Sequence, residues 1–157
     1  MDKLPMTVRG FEQLKKELVY LKTAERPAVI KAIADARALG DLSENAEYHA
    51  AREKQGFIEG RISEIESKIA RAEVIDVSKL SGKSIKFGAI ITLYDEEMDE
   101  EQTYQITGID EADIEKGYLS VSSPLAKSLI GKEVGDSIDV KTPSGHKSYE
   151  VLSIRFE

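Results

Sequence analysis

The sequence predicts an α+β fold: an N-terminal antiparallel coiled-coil hairpin, followed by a small antiparallel sheet domain with one short helix. Three observations support this prediction. Apolar residues recur at alternating steps of three and four over residues 48–72, which is the heptad period of a coiled coil. Gly40 interrupts another helical pattern just before this stretch. After Val77 the period changes to the alternation of β-strands, so we assign residues 1–76 to the hairpin and residues 80–157 to the C-terminal domain.

The first helix is predicted over residues 8–39. Thr7 is a suitable N-cap residue. One apolar stripe follows it, formed by Phe11, Leu14, Leu18 and Leu21. Pro27 lacks a backbone N–H and crowds the preceding turn, so we expect a kink near it. Gly40 then ends the helix, because glycine readily adopts the left-handed conformation found at helix C-termini.

The second helix is predicted to run to about Glu73. Its apolar stripe, which we call the seam, consists of Tyr48, Ala51, Gln55, Ile58, Ile62, Ile65, Ile69 and Ala72. Because the connection between the two helices is short, they must run antiparallel. Each arm of the hairpin then extends roughly 45 Å. Gln55 is the polar member of the seam, and a residue of this kind usually fixes the register of a coiled coil.

Three residues of the second helix do not follow from the coiled-coil pattern. Gly56 and Gly60 lie inside the helix, where each glycine lowers its stability by about 1 kcal/mol relative to alanine. Phe57 falls outside the seam. Either Phe57 packs locally on its own helix, or it contacts the other domain or a partner, and the sequence leaves both interpretations open.

The C-terminal half has the alternation and the β-branched content of strands. Strands are predicted at residues 83–94, 102–107, 117–121, 137–141 and 147–156. Pro143-Ser144-Gly145 is typical of a hairpin turn between the last two strands. A short helix is predicted over residues 124–130, with Ser123 as its N-cap, Pro124 in its first turn and Gly131 at its end.

Composition excludes several classes of function. The 157-residue chain has a net charge of −7 and no cysteine, which excludes a disulfide framework, a thiolate zinc site and a cysteine nucleophile. Residues 1–75 carry 13 basic and 13 acidic side chains, so the excess acid lies in the C-terminal half. The chain therefore lacks the basic face of a free DNA-binding protein. No apolar run is long enough to span a membrane and no signal peptide is evident, so we expect a cytoplasmic protein without a membrane partner.

Two acidic residues, Asp41 and Glu44, lie at the bend between the helices. Their spacing is close to that of a capping box, in which side chains accept hydrogen bonds from the free N–H groups of a helix start. Ser43 is a competing N-cap. The alternative is a magnesium site, since carboxylate oxygens are the ligands that this ion prefers. Two carboxylates do not complete its octahedral shell, so such a site would need ligands from a partner molecule.

Basic residues near the bend can also be interpreted in two ways, as structural or as functional. Arg37 and Arg52 flank it on the two arms, either as ordinary surface charge or as contacts for a phosphate backbone. His49 is expected to be a solvated helix residue, and His146 lies in the other half of the chain. The chain shows no nucleophile triad, no glycine-rich phosphate loop and no zinc spacing. The sequence by itself therefore offers no complete active site.

The bend belongs to a long motif that resembles a known family. Residues 40–53, GDLSENAEYHAARE, closely resemble the hairpin tip of the bacterial GreA/GreB transcription elongation factors, and of the GreA type in particular. Met6–Gly10 is similar to the family's start. Ser123–Ala126 and Leu129–Lys132 are similar to its C-terminal signature. The resemblance covers the whole chain.

The resemblance implies where each half of the chain acts. The C-terminal half would be an FKBP-like domain that docks on RNA polymerase near the mouth of its secondary channel. The docking residues that the resemblance suggests are Ser123, Pro124, Leu125 and Leu129. The hairpin would enter the channel and bring its tip to the active centre of the polymerase.

The resemblance also implies what the tip does there. Asp41 and Glu44 would act as catalytic residues in trans, helping to hold a second Mg²⁺ that they share with the polymerase. The polymerase would then cut its own backtracked RNA. Arg37, Arg52 and Tyr48 would lie near the nascent RNA 3′ end. Such a protein is a cofactor of the polymerase rather than an enzyme, with no stably bound cofactor and no small-molecule substrate.

Other functions remain as alternatives. An inhibitory Gre-like factor would reach the same channel, but with a differently populated acidic tip. A second alternative is an FKBP-like prolyl isomerase with a coiled-coil arm. A third is a structural adaptor whose acidic tip is only a helix cap. The neutral charge of the N-terminal half favours the GreA type over the GreB type, which carries a larger basic patch.

Overall fold

The computed structural model describes residues 2–143 and 145–157. They form two compact units: Phe11–Ala72 make up one, and Lys3–Gly10 with Glu73–Glu157 make up the other. The structure thus groups residues 3–10 with the C-terminal half of the chain. A heptad pattern cannot predict this grouping, because these residues precede the apolar stripe of the first helix.

A hairpin of helices forms the first unit. Its helices are α1 (Val8–Tyr20), which belongs to this unit from Phe11 onward, α2 (Arg26–Arg37) and α3 (Ala46–Ala70). Thr7 caps α1 as predicted, since its hydroxyl accepts a hydrogen bond from the amide of Gly10 at 3.0 Å. Helix α3 ends earlier than predicted, and Glu73 already lies in a strand. The β-branched residues Val74 and Ile75 favour an extended backbone at this point.

The kink expected near Pro27 takes the form of a π-helical turn, Leu21–Glu25. Here the amide of Arg26 donates to the carbonyl of Leu21, five residues earlier instead of four. Pro27 follows in the first turn of α2, where a proline is tolerated. Beyond the turn, Val29 is buried against Ile58 and Ile62 of α3. The turn therefore returns the apolar stripe to the face that packs on α3.

The seam predicted for α3 is confirmed. Ile58, Ile62 and Ile65 are buried, and the remaining seam residues, Tyr48, Ala51, Gln55, Ile69 and Ala72, are partly buried. Each buried isoleucine stabilises the hairpin by about 1.5–3 kcal/mol. Ion pairs between the arms, such as Arg26 with Glu59 at 2.7 Å, lie on the exposed flanks and add little to the stability of the hairpin. The two arms are thus joined mainly by apolar packing.

The back of α3 carries the two glycines that the heptad pattern does not explain. An added Cβ at Gly56 or Gly60 would meet no atom within 4 Å. Phe57 is 70% exposed, so it does not pack on its own helix. The alternative of an outside contact for Phe57 stays a prediction.

Replacing Gly60 by Ala should raise the free energy of unfolding by about 1 kcal/mol, because alanine is the better helix former and the site has room. A thermal melt followed by circular dichroism measures the change. Gly40→Ala is the matched control, since Gly40 has a φ of 126° that alanine adopts only with strain, and it should lower the melting temperature. A Gly60→Ala protein that melts below wild type would contradict this account.

The second unit contains two sheets. A small one pairs β1 (Leu4–Thr7) with β2 (Ala72–Ile75). The larger sheet is built from β3 (Ile90–Asp95), β4 (Glu100–Thr107), β5 (Tyr118–Ser120), β6 (Ser137–Thr142) and β7 (Gly145–Arg155). Its strand order is β5-β4-β3-β7-β6. Ile91, Leu93 and Ile106 are fully buried at its centre. The predicted helix is confirmed as α4 (Pro124–Leu129), and the hydroxyl of Ser123 caps it.

The larger sheet differs from the prediction in two respects. Strand β5 runs parallel to β4, so the sheet is mixed rather than wholly antiparallel. The strand expected over residues 83–94 begins only at Ile90, because Gly88 has a φ of 87° and turns the chain. Of the predicted turn at 143–145, Ser144 lies outside the described residues. The strands on either side of that turn pair antiparallel, as expected.

Within the second unit, the Glu111 carboxylate binds the segment that leads into α1. It accepts hydrogen bonds from the amide of Thr7 at 2.9 Å, the hydroxyl of Thr7, the guanidinium of Arg9 at 2.8 Å and the amide of Gly108 at 3.3 Å. Its side chain is only 2% exposed. An added Cβ at Gly10 would lie 2.6 Å from this carboxylate, so glycine leaves the space that Glu111 fills. We call these residues the Glu111 cluster.

Candidate functional site at the hairpin tip

The tip is the loop that joins α2 to α3, and every residue from Arg37 to Glu44 is exposed. Helix α2 ends at Arg37, and Gly40 follows in the left-handed region, as its predicted role requires. No side chain of the loop is buried, and its two leucines, Leu39 and Leu42, are 66% and 37% exposed, so little apolar packing holds the loop. Its conformation therefore depends mainly on hydrogen bonds.

Asp41 organises the centre of the loop. Its Oδ1 accepts hydrogen bonds from both the amide and the hydroxyl of Ser43, each at 2.9 Å. These bonds, the backbone one first, lower the pKa of Asp41 below its usual range, so the carboxylate is ionised at neutral pH. Asp41 thus holds a turn with one oxygen, and no described residue hydrogen bonds to the other.

Glu44 follows Asp41 by three positions and has no partner among the described residues. Among the described residues, none forms a hydrogen bond or an ion pair with its carboxylate, and the side chain is exposed. Both acidic residues line one shallow, open depression at the end of the hairpin. The two acidic residues thus border the same open space.

Helix α3 is capped by Asn45, not by Ser43 or by a capping box of Asp41 and Glu44. The Oδ1 of Asn45 accepts a hydrogen bond from the amide of Tyr48 at 3.0 Å. The predicted structural role for the two acidic residues as helix caps is therefore wrong. Sequence reasoning could have found this cap, because asparagine is among the best N-cap residues and precedes the first seam residue by three positions.

The tip carboxylates do not make a metal site by themselves. Within residues 2–143 and 145–157, no group of three or more His, Cys, Asp or Glu side chains is arranged to hold a metal ion. Asp41 and Glu44 could supply at most part of the octahedral oxygen shell of Mg²⁺. Any ion bound there would need its remaining ligands from another molecule.

The other predicted tip residues lie on the two arms. The hydroxyl of Tyr48 accepts a hydrogen bond from Arg52 at 3.1 Å, one helical turn away. Arg37 is exposed at the end of α2. His49 is exposed as expected, but its Nε2 lies 3.3 Å from the carbonyl oxygen of Ser43, so it also contacts the loop.

The predicted docking residues lie around α4, in the second unit. Pro124 is exposed, while Ser123 and Leu125 are partly buried. Leu129 is fully buried in the core of the sheet, so it cannot offer a surface to a partner. Its assignment as a docking residue is therefore wrong, because the apolar spacing that places Leu129 beside Ala126 directs both into the core.

Comparison with known proteins decides the family. Residues 4–74 match the family described as transcription elongation factor, N-terminal, and residues 80–156 match transcription elongation factor, GreA/GreB, C-terminal. The chain belongs to the GreA/GreB family. The resemblance found in the tip motif is thus confirmed.

No described helix is long and apolar enough to cross a membrane.

Several GreA/GreB proteins are similar over their whole length. The transcription elongation factor GreA of Cereibacter sphaeroides is 67% identical over 156 residues, which is 99% of each chain. That of Caulobacter vibrioides is 61% identical over the same share. Among solved structures, the GreA factor homolog 1 of Thermus thermophilus is 26% identical, with 98% of this chain and 99% of that one covered and a TM-score of 0.44.

Proposed function

We propose that this protein binds RNA polymerase in the cytoplasm, inserts its hairpin into the secondary channel and stimulates cleavage of backtracked RNA by the polymerase itself. Membership of the GreA/GreB family supports a role in transcription elongation. The polymerase supplies the active site, and the protein supplies two carboxylates. It is a cofactor of that reaction and not an enzyme.

One observation supports this mechanism above all: Asp41 and Glu44 border one open depression at the end of a hairpin. Ser43 binds only one Asp41 oxygen, and no described residue binds the other oxygen or the Glu44 carboxylate. Helix α3 alone has 25 residues and extends roughly 37 Å. Two carboxylates at the end of an arm of this length can reach a recessed metal ion. The polymerase would provide the ligands that the tip lacks.

Two-metal hydrolysis explains what the carboxylates would add. Asp41 and Glu44 would help to hold the second of two Mg²⁺ ions, and this pair of ions would stabilise the attacking and the leaving oxygen of the RNA phosphate. If the polymerase holds the second Mg²⁺ weakly, two further carboxylates raise its occupancy. A rate increase of about 10³ requires roughly 4 kcal/mol of transition-state stabilisation, which lies within the range of an added metal ion.

Arg37, Tyr48 and Arg52 would lie near the RNA in this arrangement. Arg52 is held by Tyr48, so its guanidinium is partly oriented before it meets a phosphate. Pro124, Ser123 and Leu125 would contact the polymerase from the second unit.

A transcript-cleavage assay tests the proposal. Backtracked elongation complexes are assembled with RNA polymerase of Cereibacter sphaeroides and 5′-labelled RNA, and the protein is added with Mg²⁺. We expect the RNA to be shortened faster than with polymerase alone, with release of a short 3′ fragment. No acceleration at saturating protein would refute the proposed function, and inhibition would favour the alternative of an inhibitory Gre-like factor.

A further inference from the structure

We infer that Asn45 is a positioning residue for the tip carboxylates, in addition to being the cap of α3. This inference rests on the proposed function, because it concerns the cleavage reaction. The observation behind it is a second hydrogen bond of the same side chain. The Nδ2 of Asn45 donates to the carbonyl oxygen of Ala36 at 2.6 Å, across nine positions of the chain.

The two hydrogen bonds of Asn45 join the arms of the hairpin. Ala36 belongs to the last turn of α2, and Tyr48, whose amide Asn45 binds, belongs to the first turn of α3. One amide group therefore satisfies an acceptor on one arm and a donor on the other. The loop that carries Asp41 and Glu44 is closed by this link.

The link is important because no other hydrogen bond of comparable burial joins the loop to the arms among the described residues. Residues 37–44 are all exposed, whereas Asn45 is partly buried and Ala36 is buried. Two weaker contacts also reach the loop: His49 Nε2 lies 3.3 Å from the carbonyl oxygen of Ser43, and the amide of Asn45 donates to Leu42 at 3.5 Å. A site on such a loop is precise only if its supporting bonds fix it.

Glu44 is the residue most directly affected. It immediately precedes Asn45, so the position of its Cα follows that of the linked residue. Without the link, the amide of Leu39 still donates to Ala36 at 3.1 Å, and that carbonyl keeps a partner. Losing the link should therefore loosen the loop without leaving a buried polar group unsatisfied.

Asn45→Ser separates the two roles of the side chain. Serine is also a good N-cap residue, so it can bind the Tyr48 amide, but it is too short to reach Ala36. In the cleavage assay we expect a rate at saturating protein about 10- to 100-fold below wild type, since a misplacement of about 1 Å costs on that order. The protein concentration at half-maximal rate should not change.

Two further measurements distinguish positioning from folding. The Mg²⁺ concentration that gives half-maximal cleavage should rise for Asn45→Ser, and excess Mg²⁺ should restore part of the rate. Asn45→Ala loses both hydrogen bonds and should melt at a lower temperature than Asn45→Ser. A wild-type rate for Asn45→Ser, or a loss that excess protein restores in full, would overturn the inference. Failure of the wild-type protein to stimulate cleavage would instead refute the proposed function.

Discussion

Asp41→Asn and Glu44→Gln should each lower the stimulated rate of RNA cleavage by roughly 100-fold or more, which corresponds to about 2.7 kcal/mol. The double variant should cleave no faster than polymerase alone. Asn and Gln keep the size of the side chains but remove the negative charge that a Mg²⁺ ion requires. The measurement is the cleavage rate at saturating protein and fixed Mg²⁺.

The structure provides controls that separate charge from shape at Asp41. Asparagine keeps an Oδ1 acceptor for Ser43, so the turn should survive in Asp41→Asn, whereas Asp41→Ala should lose it.

Glu53→Gln is a control for charge outside the loop. It removes an exposed carboxylate from α3, and the stimulated cleavage rate should equal that of the wild type. The three isosteric variants should melt close to wild type, since exposed substitutions of this kind change stability little. Full activity of the double variant would show that the tip carboxylates are not metal ligands.

Glu111→Ala should destabilise the second unit by about 3–4 kcal/mol. The change removes the acceptor for Thr7, Arg9 and Gly108, and buried donors left without a partner are costly. Chemical denaturation followed by circular dichroism measures the loss. Amide exchange of Thr7 and Gly108 should accelerate in the variant, which locates the effect at the cluster.

Gly10→Ala tests the same cluster from its other side. An added methyl group would lie 2.6 Å from the Glu111 carboxylate, so the carboxylate must move and its hydrogen bonds must weaken. Glu115→Gln is the matched control, because it removes an exposed carboxylate from the short helical turn Ile114–Lys116, four positions after Glu111. If Glu111→Ala unfolds at the same denaturant concentration as Glu115→Gln, the cluster does not contribute to stability.

Local periodicity explains which parts of the fold were predictable. The seam of α3 and the Ser123 cap of α4 depend on neighbours within one or two turns, so spacing and residue type suffice. The parallel pairing of β4 with β5 was missed, because an alternating pattern shows that a segment is a strand but not the direction of its partner.

The candidate site was predictable only in part. The exposed pair Asp41 and Glu44 follows from a bend between two helices, but the bonds that shape the loop do not. Asn45 reaches Ala36 nine positions away, and Glu111 reaches Thr7 over 104 positions. Such contacts depend on the packed tertiary structure. The family resemblance supplied the roles of the carboxylates, while it also suggested Leu129, which packing removes from the surface.

The π-helical turn at Leu21–Glu25 changes how many residues the first arm contains. In the first arm, Leu14, Leu18 and Leu21 follow the heptad spacing, yet the next buried residue, Val29, comes one position later than that spacing requires. The first arm therefore contains one residue more than a regular coiled coil needs, and the turn accommodates it. Homologues that lack this residue should form an uninterrupted first arm with the tip in the same place. Deletion of a single residue should accordingly be tolerated better in this turn than elsewhere in the first arm.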